Sequence, residues 1–360
     1  MPVGFGILGA GTISRHFVAS LRHVRGAEAV AVASRTKARA KAFAEDLGIE
    51  QWHSDYDQLV SNPSVDVVYV ATPAGLHHEH SLLAIEAGKA VLCEKPFAVD
   101  ASKARQVTEA ARARGVFCME AMWMRFLPLI QEVATRIDRG DIGAVRSLQA
   151  DLSFPIPFTE GSRFYDASLG GGSLLDLGVY PVSLASMLLG RPDGVEAVQT
   201  IGPGDVDAQM VVTLAYPEAL AVLTCGFTGT GRNGAFIVGT EGFIEIDAPI
   251  YAPTGMAVTR TGKIAPPSND GGEGISRRLE RMPAIVELRR RIVPRLKPIL
   301  RGNRERVSKH FRGHGYQHEA QEVVRCIETG RTESAIMPLD ETIAVMDILD
   351  AARNAARRAR

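Results

Sequence analysis

Three side chains in this sequence carry groups that can move a proton on and off a hydroxyl: the amine of Lys95, the carboxylate of Asp176 and the phenol of Tyr180. Lys95 stands in Glu94-Lys95-Pro96 at the end of the apolar run Ala90-Val91-Leu92-Cys93, so a buried strand would deliver it to the sheet edge where open α/β folds hold ligands. Pro96 fixes the turn that aims it, and a cis bond is one way to set that turn. Asp176 and Tyr180 are four residues apart and share one face if the segment is helical. Gly170-Gly171-Gly172 precedes them and lets chain or ligand approach closely. By spacing alone a carboxylate and a phenol at this interval are more often a surface pair, so their weight depends on the rest of the chain.

The glycine-rich stretch Gly9-Ala10-Gly11-Thr12-Ile13-Ser14 follows the strand-like Val3 to Leu8 and opens a helix. Glycines there let the backbone approach a pyrophosphate, and helix N–H groups face the anion. Ser14 replaces the third glycine with a side chain still small enough for close packing. At the end of the second strand an NAD site would place an acid; this chain has Ser34-Arg35-Thr36, with Lys37 and Arg39 close behind. Hydroxyls and a guanidinium at a helix start suit a 2′-phosphate, which favours NADP, with NAD as the other option. The alternative is a solvated basic helix start that contacts nothing. Thr72-Pro73 and His77 follow Val67-Val68-Tyr69-Val70-Ala71 and fall on the same ligand-facing rim. His77 is read as a helix cap or a cofactor contact, and His78 and His80 as solvent-facing. The three histidines lack the ligand set of a metal site.

These groups need a scaffold, and the first third of the chain supplies alternating elements. Strands are predicted at Val3 to Leu8, Ala29 to Ala33, Asp66 to Ala71, Ala90 to Cys93 and Val116 to Met119; helices at Thr12 to Arg22, Thr36 to Leu47, His77 to Ala87 and Ser102 to Arg114. Short apolar strands alternating with helices require a parallel sheet covered on both faces. Residues 1–122 therefore read as a doubly wound Rossmann domain. Residues 123–360 read as an α+β domain, with a helix over Leu127 to Arg139 and another over Ser173 to Leu189. Its strands are Ala144 to Phe154, Val195 to Ile201, Ala208 to Tyr216, Ala219 to Phe227 and Ala235 to Ile246. Their alternation suits a mostly antiparallel sheet with one face under helices. Gln317 to Thr329 and Leu339 to Arg353 read as closing helices, and 266–274 as a mobile loop.

The whole chain fits two soluble domains, with 360 residues, 46% of them hydrophobic and 23% charged. Cys93, Cys118, Cys225 and Cys326 are far apart and mostly in apolar runs, as in a reduced intracellular protein. Met1-Pro2 leads directly into a strand, and no later stretch approaches the length of a membrane span, so the expectation is cytoplasmic. The zero net charge hides an imbalance: residues 277–312 hold 13 Lys/Arg against three acids, which the rest of the chain must balance. This basic insert, near 275–314, mixes charge with apolar residues, and Pro294 and Pro298 interrupt any long helix. A lid or subunit contact is favoured for it over a nucleic-acid or membrane surface.

Taken together, Gly9-Ala10-Gly11, Thr72-Pro73 with His77, Glu94-Lys95-Pro96 and Gly170-Gly171-Gly172 with Asp176 and Tyr180 resemble the Gfo/Idh/MocA oxidoreductase family, in order along nearly the whole chain. Glu120-Ala121-Met122-Trp123-Met124-Arg125-Phe126 and the tail from Tyr316-Gln317-His318-Glu319 are similar to the branch holding dihydrodiol and NADP-dependent D-xylose dehydrogenases. The resemblance implies a second domain built on a large open sheet, catalysis around Lys95, Asp176 and Tyr180, and a homo-oligomer. It implies cofactor contacts from Gly9, Gly11, Thr12, Ile13, Ser34 and Arg35. Further contacts would come from Thr72, Pro73, His77, Glu94 and Lys95, with Trp123 and Arg125 at the pocket. Ala74 departs from the asparagine many relatives carry, and residues 277–312 have no counterpart in the pattern.

The expected reaction is hydride exchange between nicotinamide and a hydroxyl-bearing carbon of a sugar or cyclic diol. Desolvation and an oxidised nicotinamide would disfavour the ammonium form of Lys95, and Glu94 would oppose that if it faces the amine. Tyr180 can donate or accept at the same oxygen, and Asp176 can orient the diol. A nucleotide-sensing regulator of the same fold is the alternative, against which the intact trio argues.

Overall fold

Six short strands of small and β-branched residues form the first sheet: β1 (Val3–Leu8), β2 (Ala27–Ala33), β3 (Gln51–His53), β4 (Val67–Val70), β5 (Ala90–Glu94) and β6 (Cys118–Ala121). The computed structural model describes residues 2–261 and 303–358. All six strands run parallel in the order β3-β2-β1-β4-β5-β6. The order reverses between β1 and β4, so a ligand crevice opens at their carboxyl ends. Every residue of β1, β4 and β5 is buried, as a sheet covered on both faces requires. The cover comes from α1 (Thr12–Leu21), α2 (Lys37–Leu47), α3 (Tyr56–Val60), α4 (His77–Glu86) and α5 (Ala101–Arg114). The short β3 and α3 carry too few apolar residues to stand out in the sequence.

After α6 (Pro128–Asp138) the second sheet begins with β7 (Val145–Ser153), which lies inside it rather than at its edge. A helical segment and α7 (Val179–Leu189) lead to β8 (Gly194–Ile201), β9 (Asp207–Ala215), β10 (Leu220–Gly226), β11 (Ala235–Gly239), β12 (Gly242–Ile246), β13 (Gly255–Arg260) and β14 (Arg304–Ser308). The order is β14-β13-β12-β11-β7-β10-β9-β8, antiparallel except for the parallel pair β7–β10. The expected single strand from 235 to 246 is a hairpin instead. Its turn is tied down by Thr240 N–H to Ala144 O (3.0 Å) and Glu241 N–H to Ile142 O (2.8 Å). Gly239 permits this, because a Cβ there would stand 2.1 Å from Ile142 O. One sheet face packs on α7 and on α9 (Leu339–Arg358); the other exposes Val198, Val211, Leu220 and Val222.

α8 (Gln317–Glu328) and α9 return to the first sheet's helices. Asp350 accepts the Ala101 N–H at 2.8 Å, Arg353 donates to Val99 O at 2.7 Å, and Arg105 pairs with Asp347 at 2.6 Å. The run Ala167–Leu189 has the length and composition of a membrane span, contrary to expectation, and 78% of its apolar window is buried inside the protein. The expected loop at 266–274 and the basic stretch from 277 to 302 lie outside the described residues. The end of that stretch forms β14, where Arg304 pairs with Glu245 at 2.9 Å and Arg136 with Glu305 at 2.6 Å.

Candidate active site

The turn after β1 is built for close approach. Gly9 has φ +111°, and a Cβ there would stand 2.6 Å from Ala71 O, so only glycine lets the β1 and β4 loops meet. Gly11 caps α1, and a Cβ placed there would meet nothing within 4 Å. Thr12 and Ile13 open the helix on the exposed rim, and no acid occupies its first turn. No side chain among the described residues caps this terminus, so its first N–H groups remain for an anion such as a pyrophosphate. Ser14 does more than stay small: its buried hydroxyl donates to Gly9 O at 2.6 Å and fixes the turn.

Ser34 follows β2 and is buried, Arg35 is exposed, and Thr36 stands at the N-cap of α2. Arg35 borders a hollow of about 790 Å³ with Ser54, Tyr56 and His80. His80 was expected in solvent, but it is only 5% exposed, because its Nδ1 bonds Thr72 Oγ1 at 2.9 Å and its ring meets the edge of Tyr56. Burial pushes its imidazole below the ordinary value.

His77 turns inward as well. Its two ring nitrogens lie 2.8 Å from Pro96 O and 2.8 Å from Thr72 O. Burial pushes the imidazole down to about 4 against the pull of the two carbonyls, and the neutral ring has one N–H to donate to one of them. Both ring nitrogens are turned to these carbonyls, so the ring lies between Thr72-Pro73 and the Lys95–Pro96 turn. That peptide bond is cis.

Lys95 emerges from the end of β5 towards the helical segment of the second domain. Its Nζ lies 2.6 Å from the main-chain oxygen of Asp176 and 3.6 Å from Asp176 Oδ1, and sits 4.7 Å from the centre of the Tyr180 ring. A carbonyl, a carboxylate and an aromatic face all attract a cation. Asp176 lies in a π-helical turn, Leu174–Gly178, that runs into α7 with Tyr180 near its start; Arg163 also approaches Asp176 Oδ1 at 3.4 Å. Trp123 Nε1 donates to the Tyr180 hydroxyl oxygen at 3.0 Å, leaving the phenolic hydrogen free to point elsewhere. Burial, then Tyr316 and Glu94, push the Tyr180 phenol well above its ordinary value, so it is protonated at neutral pH.

Two other expected contacts are directed elsewhere. The Glu94 carboxylate accepts from the Tyr69 hydroxyl and from the Lys95 main-chain N–H, not from the Lys95 amine; burial pushes it above the usual carboxylate range. Arg125 is 2% exposed and donates to Ser183 Oγ (2.7 Å), Ser183 O (2.7 Å) and Glu341 (2.6 Å), so it joins α7 to α9. Sequence reasoning missed Tyr251 and Tyr316, which pack around Trp123 and Tyr180: Tyr316 stacks on Trp123 at 4.7 Å, and Tyr251 lies 5.7 Å from Tyr180. Four aromatic rings from four separate segments leave no local pattern to find.

Residues 3–122 match the Gfo/Idh/MocA oxidoreductase family with its NAD-binding Rossmann fold, and residues 130–245 match the Gfo/Idh/MocA C-terminal domain. The chain is 33% identical to trans-1,2-dihydrobenzene-1,2-diol dehydrogenase of Mus musculus, over 99% of this chain and 97% of that protein. A 3-ketoreductase from Actinomadura kijaniata, solved in complex with NADP and TDP-benzene, is similar with a TM-score of 0.79 and 26% identity over 99% of this chain and 98% of its own. An aldose-aldose oxidoreductase from Caulobacter crescentus shares the fold, with a TM-score of 0.81 at 24% identity over 100% and 99% of the two chains.

Proposed function

Because this chain belongs to the Gfo/Idh/MocA oxidoreductase family and is an NAD(P)-dependent dehydrogenase acting on CH–OH groups, we propose that it uses NADP and acts on a cyclic diol or sugar, with Lys95, Asp176 and Tyr180 handling the proton. The observation that carries this reading is the convergence of the Lys95 amine on Asp176 and on the Tyr180 ring. The Gly9–Gly11 turn and the open start of α1 fit the cofactor's pyrophosphate, and Ser34, Arg35 and the start of α2 fit a 2′-phosphate. When bound, the nicotinamide gives or takes the hydride.

The chain's own groups do the rest. Tyr180 receives the Trp123 N–H on its oxygen and can aim its hydrogen at a substrate oxygen, donating it in reduction. A phenolate formed there would be desolvated and disfavoured, and the Lys95 cation beside the ring offsets that cost. Asp176 holds the cation in place through both its carbonyl and its carboxylate. The rings of Trp123, Tyr180, Tyr251 and Tyr316 suit a flat or cyclic substrate and limit access by water. The relatedness to the Mus musculus diol dehydrogenase supports trying trans-1,2-dihydrobenzene-1,2-diol first, ahead of aldoses and inositols. Exposed aliphatic side chains on β8, β9 and β10 support assembly with a second copy of this chain.

The test pairs cofactor titrations with turnover of these alcohols. NADP should bind more tightly than NAD, and Arg35→Ala should weaken NADP by about 1.5–3 kcal/mol while barely touching NAD, the scale of a charge-assisted hydrogen bond. Equal losses for both cofactors would remove the NADP assignment; absence of turnover across the alcohols would remove the substrate class.

A further inference from the structure

We propose that Asp207 is a positioning residue for the reaction: its carboxylate fixes where the π-helical turn begins, and so sets the contact between Lys95 and the Asp176 carbonyl and the placement of Tyr180. This rests on the reading that Lys95, Asp176 and Tyr180 carry the chemistry. Asp207 opens β9 and is buried. Its Oδ2 accepts the Ser173 hydroxyl at 2.8 Å and the Leu174 main-chain N–H at 2.6 Å. The first N–H groups of a helical segment have no partner within it, and a serine or aspartate next to them usually serves. Here Ser173 makes no such cap and turns its hydroxyl to Asp207, so the segment is anchored to the sheet.

The preceding chain is shaped for that anchor. Gly172 has φ +113°, and a Cβ on it would stand 2.3 Å from Asp207 Oδ1. At the far end of the turn, Gly178 lies against Cys225 of β10, where a Cβ would stand 2.9 Å from the sulfur. Neighbouring strands therefore hold the turn at both ends. A π turn takes in one residue more than an α turn, so the place where it starts decides which carbonyl it presents to Lys95. Were Leu174 N–H released, relaxation to a regular helix would swing the following side chains by about 100°, one residue's worth of rotation. Asp207 reaches the reacting groups only through residues 173–178.

The experiment compares Asp207→Ala with Asp207→Asn in the full chain, using two readouts. One is the rate at which acetic anhydride acylates Lys95, followed by mass spectrometry, which needs no substrate. The other is kcat and KM with NADP and trans-1,2-dihydrobenzene-1,2-diol. In Asp207→Ala, Lys95 should acylate several-fold faster and kcat should fall roughly tenfold or more, as expected of misplaced reacting groups, with the NADP dissociation constant unchanged. Asp207→Asn keeps an acceptor for Leu174 N–H and should stay near wild type in both. Wild-type Lys95 reactivity in an Asp207→Ala protein that binds NADP overturns the proposal, as does an Asn variant no better than the Ala variant. Should Asp207→Ala fail to fold, Ser173→Ala removes one of the two donors and should speed acylation by a smaller factor; unchanged reactivity there overturns it too. Lack of wild-type turnover strikes the proposed reaction alone, because acylation of Lys95 does not depend on a substrate.

Discussion

Lys95 is held by Asp176 chiefly through the main chain: the amine lies 2.6 Å from the carbonyl oxygen and 3.6 Å from the carboxylate. A side chain anchored on a carbonyl keeps its anchor when the side chain beside it is changed. The contribution of Asp176 to catalysis therefore divides into a part that mutation can remove and a part that it cannot.

Lys95→Met should lower turnover by roughly 100-fold or more, the usual scale for a positioned acid or base, with NADP affinity close to wild type. Asp176→Asn should cost clearly less, because the carbonyl contact survives it. Steady-state kinetics and cofactor titration on both variants check this. Equal losses would mean that the carboxylate, not the carbonyl, holds the amine.

Arg125→Ala should destabilise the fold by about 3–5 kcal/mol, since it leaves Glu341 and the Ser183 groups without their buried partner. Urea unfolding measures the loss. NADP affinity of the folded fraction should be unchanged, because the guanidinium's bonds run from Nε and Nη2 to α7 and α9. A selective loss of NADP binding would restore Arg125 to the cofactor site.

Glu120, at 0% exposure, gives a pH signature. Burial pushes its carboxyl up to about 7; one oxygen accepts the Phe97 N–H at 3.2 Å and the other has no partner among the described residues. The folded state keeps this proton over a range where the unfolded state has lost it, so stability falls as pH rises from 4.5 to about 7 and the full penalty applies above that. The penalty is about 3 kcal/mol at most. Glu120→Gln removes the charge, so its gain in thermal stability over wild type should be larger near pH ~8 than near pH ~5. A gain independent of pH would show that Glu120 is not buried in its charged form.

The parallel sheet was legible in its central strands, which are short continuous apolar runs such as Val67-Val68-Tyr69-Val70, and two-faced burial leaves little else that such a run can be; β3, with Gln51 and His53 around Trp52, carries no such run. Lys95 was legible for the same reason, since the strand before it fixes the edge it reaches. The parallel contact of β7 with β10 joins residues about seventy apart, and alternation along either strand says nothing of its partner. The π turn was read as ordinary helix because what widens it, the Asp207 anchor, comes from a later strand. Polar type misled at His80 and Arg125, where partners from other elements allow burial. The basic residues around 304–309 pair with acids on β12 and α6, a match invisible in a charge count.

The clasp between α5 and α9 has a consequence for synthesis. The helix that begins at Ala101 receives its side-chain caps from two places, Asp100 beside it and Asp350 some 249 residues later. At about 5–20 residues per second, a ribosome needs roughly 10–50 s to make the chain between them. Until then the first sheet is complete in strands but bare along the helix face that α9 will cover, and contacts of such long sequence separation form slowly even once available. The cover for that face of the first sheet's helices is thus supplied by a segment translated some 249 residues after α5 begins.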